Sequence, residues 1–213
     1  GSAPTTGIRI VTSSDDRCGA EVLDAITGKK LSFFKRYGEI WGAAFSADGN
    51  CIITGHSDGN AVIWDATTGK ELILLKLQTK AIHFLNLSPD GNRIVTASGE
   101  KTAKIWDAKT GAELLSLKGH TSWVASAQFN PDGNRIVTAS GDNLAKIWDA
   151  TTGAELLSLE GHTEAVNSAQ FSHDGKRIVT ASDDGTVIIW DSRPYAESFA
   201  EREAAEAERK TTD

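Results

Sequence analysis

Four Trp-Asp pairs stand in strict register along this chain. Trp64, Trp106, Trp148 and Trp190 lie 42 residues apart, and Asp follows each one. The sequence between them repeats too: residues 90–130 and 132–172 agree at roughly four positions in five. A repeat of this length rules out a single irregular core. Each copy has to be one supersecondary unit that buries its apolar faces against its neighbours.

Each unit breaks into four short apolar runs. In the clearest copy these are Trp123–Phe129, Arg135–Ser140, Leu144–Asp149 and Glu155–Glu160. The breaks between them read PDGN, SGDN and DATTG. Asn, Asp-Gly and Thr-Gly supply the backbone that tight turns need. Four strands of about five residues joined by tight turns make an antiparallel meander.

The Gly-His…Trp-Asp pattern, with Gly119-His120 before Trp148-Asp149 and Gly161-His162 before Trp190-Asp191, resembles the WD-repeat (WD40) β-propeller family. The resemblance spans about residues 8 to 191. It implies an all-β fold, a WD40 β-propeller of four-stranded antiparallel blades around a channel. Residues 1–7 are expected to be a leader, and Gly1-Ser2, in a chain without Met, an expression scar. Residues 192–213, rich in Ala, Glu and Arg, read as a short C-terminal helix with Tyr195 and Phe199 on one face. That tail is similar to the ends of propellers fused to bacterial signalling proteins.

Taken in order, the units do not sum to whole blades. The opening unit, over 8–36, lacks its first strand and has Leu23 at the Trp position. Three complete units follow, and the last one, 165–191, lacks its fourth strand. Eighteen strands make about four and a half blades per chain. WD-type rings resemble seven- or eight-bladed structures, so the expectation is closure by association. In this reading Leu31–Arg36 of one copy pairs with the edge strand Thr186–Asp191 of another, giving a two-fold ring of about eight blades. Residues 8–25 would then be surplus, and displaced, poorly packed or taken into an additional blade. The alternative is a strained small monomer.

The resemblance also assigns the polar residues. Within each blade a His, a Thr, an Asp and the Trp form a structural hydrogen-bonded tetrad: His120, Thr138, Asp142 and Trp148 in one unit, His162, Thr180, Asp184 and Trp190 in the next. A buried imidazole and indole N–H need such partners. The set recurs without a nucleophile elbow, so no catalytic residue is assigned. Toward the N-terminus the pattern decays, with Gln78 and Arg36 at the His positions. His56, His83 and His173 occupy non-equivalent positions, and no metal site is expected from them. Cys18 and Cys51 read as free thiols.

Departures from the repeat are where a function would be written. Beside the loops that carry His120 and Asp142, these are Trp123, Trp41, Lys80 and Glu164, the candidate partner-binding residues. A net charge of −7 argues against nucleic acid as a partner. No apolar run approaches membrane-spanning length, and the expected location is cytoplasmic. No phosphate-binding loop and no cofactor motif is present. The expected function is a non-catalytic scaffold for a protein or peptide partner, assembled as a homodimer or other homo-oligomer. Alternatives are an amplified or engineered structural repeat with no selected ligand, and a propeller enzyme using its channel.

Overall fold

The computed structural model describes residues 8–14, 19–35, 39–46, 48–77 and 82–193. Among these, eighteen strands form five antiparallel sheets and no helix occurs. The first sheet holds β1 (Arg9–Ser14), β2 (Gly19–Asp24) and β3 (Lys30–Lys35). The second holds β4 (Ile40–Phe45), β5 (Cys51–His56), β6 (Asn60–Asp65) and β7 (Glu71–Lys76). The third holds β8 (Ile82–Leu87), β9 (Arg93–Ser98), β10 (Thr102–Asp107) and β11 (Glu113–Lys118). The fourth holds β12 (Val124–Phe129), β13 (Arg135–Ser140), β14 (Ala145–Asp149) and β15 (Glu155–Leu159). The fifth holds β16 (Val166–Phe171), β17 (Arg177–Ser182) and β18 (Val187–Asp191). Strand ends fall within a residue or so of the sequence reading. The expected leader 1–7 and tail helix lie outside the described residues, apart from Ser192 and Arg193.

The corners explain why the Asp after each Trp recurs. Asp149 Oδ1 accepts from the backbone N–H of Thr151 and Thr152 and from the Thr152 hydroxyl. Gly153 then turns the chain at φ +74°, a conformation costly for any residue with a Cβ. Asp24, Asp65 and Asp107 build the same corner. These hydrogen bonds hold all four carboxyls below the ordinary range.

Each sheet packs on the next through one apolar cluster. Val137, Ala145 and Ile147 of the fourth sheet are buried against Val166, Phe171 and Ile178 of the fifth. Val95, Ala103 and Ile105 meet Val124, Phe129 and Trp148 in the same way. Between the first and second sheets Ala20, Val22 and Phe34 are buried with Ile40, Ile52 and Trp64. Four junctions thus join five sheets into a fan, and no such cluster joins the fifth sheet back to the first among the described residues.

The two outer faces of the fan carry apolar residues in water. On the fifth sheet Val179, Val187 and Ile189 are 40%, 65% and 66% exposed, whereas their repeat equivalents Val137, Ala145 and Ile147 are 0–2% exposed. On the first sheet Ile10 is 48% exposed, and its equivalents Ile52, Ile94, Ile136 and Ile178 are fully buried. Within this single chain β3 pairs with its own β2, Ala20 standing opposite Phe34. In this single chain β1 and β2 form a three-stranded sheet with β3, and among the described residues that sheet has no inner strand.

Candidate interaction face

Successive strands run up and down, so one end of the fan carries the loops into each inner strand and the turns between second and third strands. Two hydrogen-bonded networks lie under that end. In the fourth sheet His120 Nδ1 is 2.8 Å from Asp142 Oδ2, and His120 Nε2 is 2.7 Å from Thr138 Oγ1. Trp148 Nε1 donates to Thr138 Oγ1 at 2.8 Å, and the backbone N–H of Thr121 donates to Asp142 at 2.8 Å. An ionised carboxylate only accepts, so Nδ1 carries the proton. Nε2 is then the acceptor for the Thr138 hydroxyl, which in turn accepts from the indole. The fifth sheet repeats the arrangement with His162, Thr180, Asp184 and Trp190 at 2.8–2.9 Å.

Electrostatics agree with a neutral imidazole. Burial pushes the His120 pKa below its ordinary value, the Asp142 charge opposing only part of that shift. For Asp142 burial is the largest single influence and acts upward. Hydrogen bonds from Thr121, His120 and Leu144 outweigh it and leave the carboxyl below the ordinary range. At Asp184, whose side chain is largely covered, the Thr186 hydroxyl lowers the value most. Both folded-state values of the His120–Asp142 pair lie below the unfolded ones, so the unfolded chain binds more protons and acid favours it. The His120 contribution is complete above pH 6.5 and fades as the pH falls from there toward the folded-state pKa. The Asp142 contribution fades only below about 3.8. The urea midpoint is therefore expected to drop between pH 7.5 and 5.5, and His120→Gln should flatten that slope. A midpoint that rises toward pH 5.5 contradicts the neutral assignment.

The remaining blades keep parts of the network. Trp106 Nε1 donates to Thr96 at 2.8 Å, with no histidine among the described neighbours. In the second sheet Trp64 donates to Thr54, and Thr54 Oγ1 lies 2.9 Å from His56 Nε2. His56 is fully buried. From the sequence it belongs to no network, since the repeat places histidine before the inner strand. Residues 54 and 56 alternate along β5 on one side of the sheet, and that alternation was the available signal. Gln78, Arg36 and Lys80 lie outside the described residues.

Trp123 and Trp41 are 41% and 39% exposed. Trp123 precedes β12, and its indole lies so close over Gly141 that a Cβ there would sit 2.5 Å from Nε1. Trp41, in β4, donates to Glu39 Oε2 at 3.0 Å and meets the His83 ring edge-on at 4.7 Å. Trp41 and His83 fall at the same repeat position, 42 residues apart, on adjacent inner strands, and that spacing is the signal for their contact. The third sheet separates Trp41 from Trp123. Glu164 is exposed, its backbone carbonyl accepting from Ser182 Oγ at 3.0 Å. At the opposite end, Asn86, Gln128 and Gln170 of successive inner strands line a concave opening of about 470 Å³. Among the described residues no group of three His, Cys, Asp or Glu could hold a metal ion, and no helix is long and apolar enough to cross a membrane.

The model of the WD domain, G-beta repeat, matches this chain four times, at residues 28–65, 69–107, 111–149 and 153–191. Over 67 residues the chain is 37% identical to quinoprotein alcohol dehydrogenase PedE of Pseudomonas putida. Over a stretch of the same length it is 34% identical to quinoprotein ethanol dehydrogenase of Pseudomonas aeruginosa. Each match covers 31% of this chain, and the chain spans only 11% of the length of these curated relatives.

Proposed function

The chain belongs to the WD40 repeat family, and on that premise we propose that it is a non-catalytic scaffold for a protein or peptide, its ring completed by a second copy. The observation that carries the reading is the uncovered face of the fifth sheet. Val179, Val187 and Ile189 repeat residues that every complete internal junction buries. Full burial of one such side chain is worth roughly 1.5–3 kcal/mol, so leaving three in water wastes much of what the repeat is built to gain.

The second copy fits this face by replacing the weakest blade. Among the described residues the fifth sheet lacks an outer strand and the first lacks an inner one. If β18 pairs with the partner's β3, Val187 takes the place of Ala20 and Ile189 that of Val22. Arg177 and Trp190 arrive where Arg9 and Leu23 stand. The product is a four-stranded blade with its inner strand and its His162 network in place. The displaced β1 and β2 belong to a three-stranded blade with neither. An exchange that trades an incomplete unit for a complete one is favoured, and the two-fold operation does it twice.

The binding end is read from Trp41 and Trp123. A half-exposed indole at a loop-bearing end is a common anchor for a partner chain. The dehydrogenase names belong to relatives matched over a short stretch, and the recurrence of the buried His–Asp–Thr set in two blades supports a structural role. A peptide-library pull-down tests the scaffold reading. A peptide it recovers is expected to lose at least about tenfold in affinity with Trp123→Ala or Trp41→Ala at little cost in stability. Unchanged affinity in both variants places binding elsewhere.

A further inference from the structure

Arginines spaced by the repeat tie successive sheets together. Arg9, Arg93 and Arg135 each begin the second strand of a blade and reach into the following sheet. Arg9 Nη2 donates to Gly49 O at 2.6 Å, Arg93 Nη2 to Gly133 O at 2.6 Å, and Arg135 Nη2 to Gly175 O at 3.2 Å. Arg93 Nη1 also donates to Ala150 O at 2.8 Å, and Arg135 Nη1 donates to Ser192 O. Each guanidinium lies over a phenylalanine, Arg9 on Phe45, Arg93 on Phe129 and Arg135 on Phe171, at 5.2–5.4 Å. At the Arg93 and Arg135 junctions two carbonyls and an apolar floor from the next sheet make a receptor fitted to a planar cation.

Residue 51 holds this place at the junction of the second and third sheets, 42 residues from both Arg9 and Arg93, and it is Cys. A thiol ends one heavy atom beyond Cβ and spans none of the distance an arginine covers. The far half of the receptor is retained. Gly91 and Ala108 fall at the repeat positions of Gly133 and Ala150, and Leu87 falls at that of Phe129. A cavity of about 330 Å³ opens there, lined by Cys51, Ile63, Ile73, Leu87, Gly91 and Ala108. A Cβ on Gly91 would meet nothing within 4 Å, whereas one on Gly49 would lie 2.9 Å from Arg9 Nη2. Asp48 and Asp90 also line the cavity, against Lys109 as the one cation among its described lining residues.

We propose that this cavity binds small alkylguanidinium ligands, seated as the arginines are seated at the sister junctions. The ligand donates to the carbonyls of Gly91 and Ala108, lays its alkyl stem along Ile63, Ile73 and Leu87, and has its charge balanced by Asp48 and Asp90. Leu87 offers no π face, and a free ligand loses freedom that a tethered side chain does not, so binding falls in the millimolar range. Occupancy links the second sheet to the third and so raises the melting temperature.

The test uses the whole chain with Cys18→Ser, so that Cys51 is the only thiol. Burial first, then the charges of Asp48 and Asp65, push the Cys51 pKa up, so thiol labelling is run at alkaline pH. Propylguanidinium at twice its dissociation constant is expected to slow labelling about threefold and to raise the melting temperature, with propylammonium doing neither. Cys51→Arg should melt higher than its parent and lose the response to propylguanidinium. Cys51→Ser, which keeps the cavity, should retain that response. Equal effects of the two cations, no effect of either, or a response that survives Cys51→Arg would overturn the proposal.

Discussion

Trp148→Ala is expected to lower stability by roughly 3–5 kcal/mol, the cost of deleting a fully buried tryptophan, and more if its partners are stranded. The indole does two things at once. Its ring fills the junction between the third and fourth sheets with Val95, Ile105 and Phe129, and its N–H ends the chain that runs through Thr138 and His120 to Asp142. Removing it leaves a cavity and frees the Thr138 hydroxyl from its donor. Trp41→Ala, by contrast, removes a half-exposed ring held by Glu39 and the edge of His83, and should cost about 1 kcal/mol or less. Trp106 gives a finer comparison, since its N–H also reaches a threonine but no histidine continues the chain among the described residues. Trp148→Phe should therefore cost more than Trp106→Phe. Urea unfolding of the four variants measures both differences. Equal midpoints for Trp148→Ala and Trp41→Ala contradict the role given to the network.

Ile189→Asp is expected to halve the molar mass of the assembly while leaving the secondary structure of the chain in place. In one chain Ile189 is two-thirds exposed, so an aspartate there costs the isolated fan little. In the exchanged blade it sits at the position of the fully buried Val22, where an unpaired carboxylate carries a desolvation penalty of several kcal/mol. The symmetry applies that penalty twice. Ile147→Asp, at the equivalent position inside the chain, should instead unfold the fourth and fifth sheets. Gel filtration and far-ultraviolet circular dichroism separate these outcomes. If Ile189→Asp keeps the assembled mass, the fifth sheet is not the joining face.

The blades were legible because the 42-residue register fixes strand, turn and corner together. Once Trp148 and Gly153 are placed, Ile147 has to face one neighbour and Trp148 the other, and the rest of the repeat follows. Both networks around His120 and His162 could be read in the same way. His56 was harder to read, because it reaches Thr54 from its own strand rather than from the loop before the blade, at a position where the other units carry Ser98, Ser140 and Ser182. The arginine ties were visible as a repeat spacing through 9, 93 and 135, yet their meaning lies in the next sheet, where the carbonyls of Gly133 and Ala150 are. A single unit says nothing about such a neighbour. The strand count alone did not say how the opening three strands pack. Packing decided it within one chain, since Ala20, Val22 and Phe34 bury the face of Trp64 that would otherwise be open.

Light scattering after gel filtration tests the central claim most directly. A chain of 22.7 kDa whose outer faces are completed by a second copy elutes at about twice that mass across micromolar concentrations. A stable particle of one chain mass at those concentrations, with Val187 and Ile189 left in water, would contradict it.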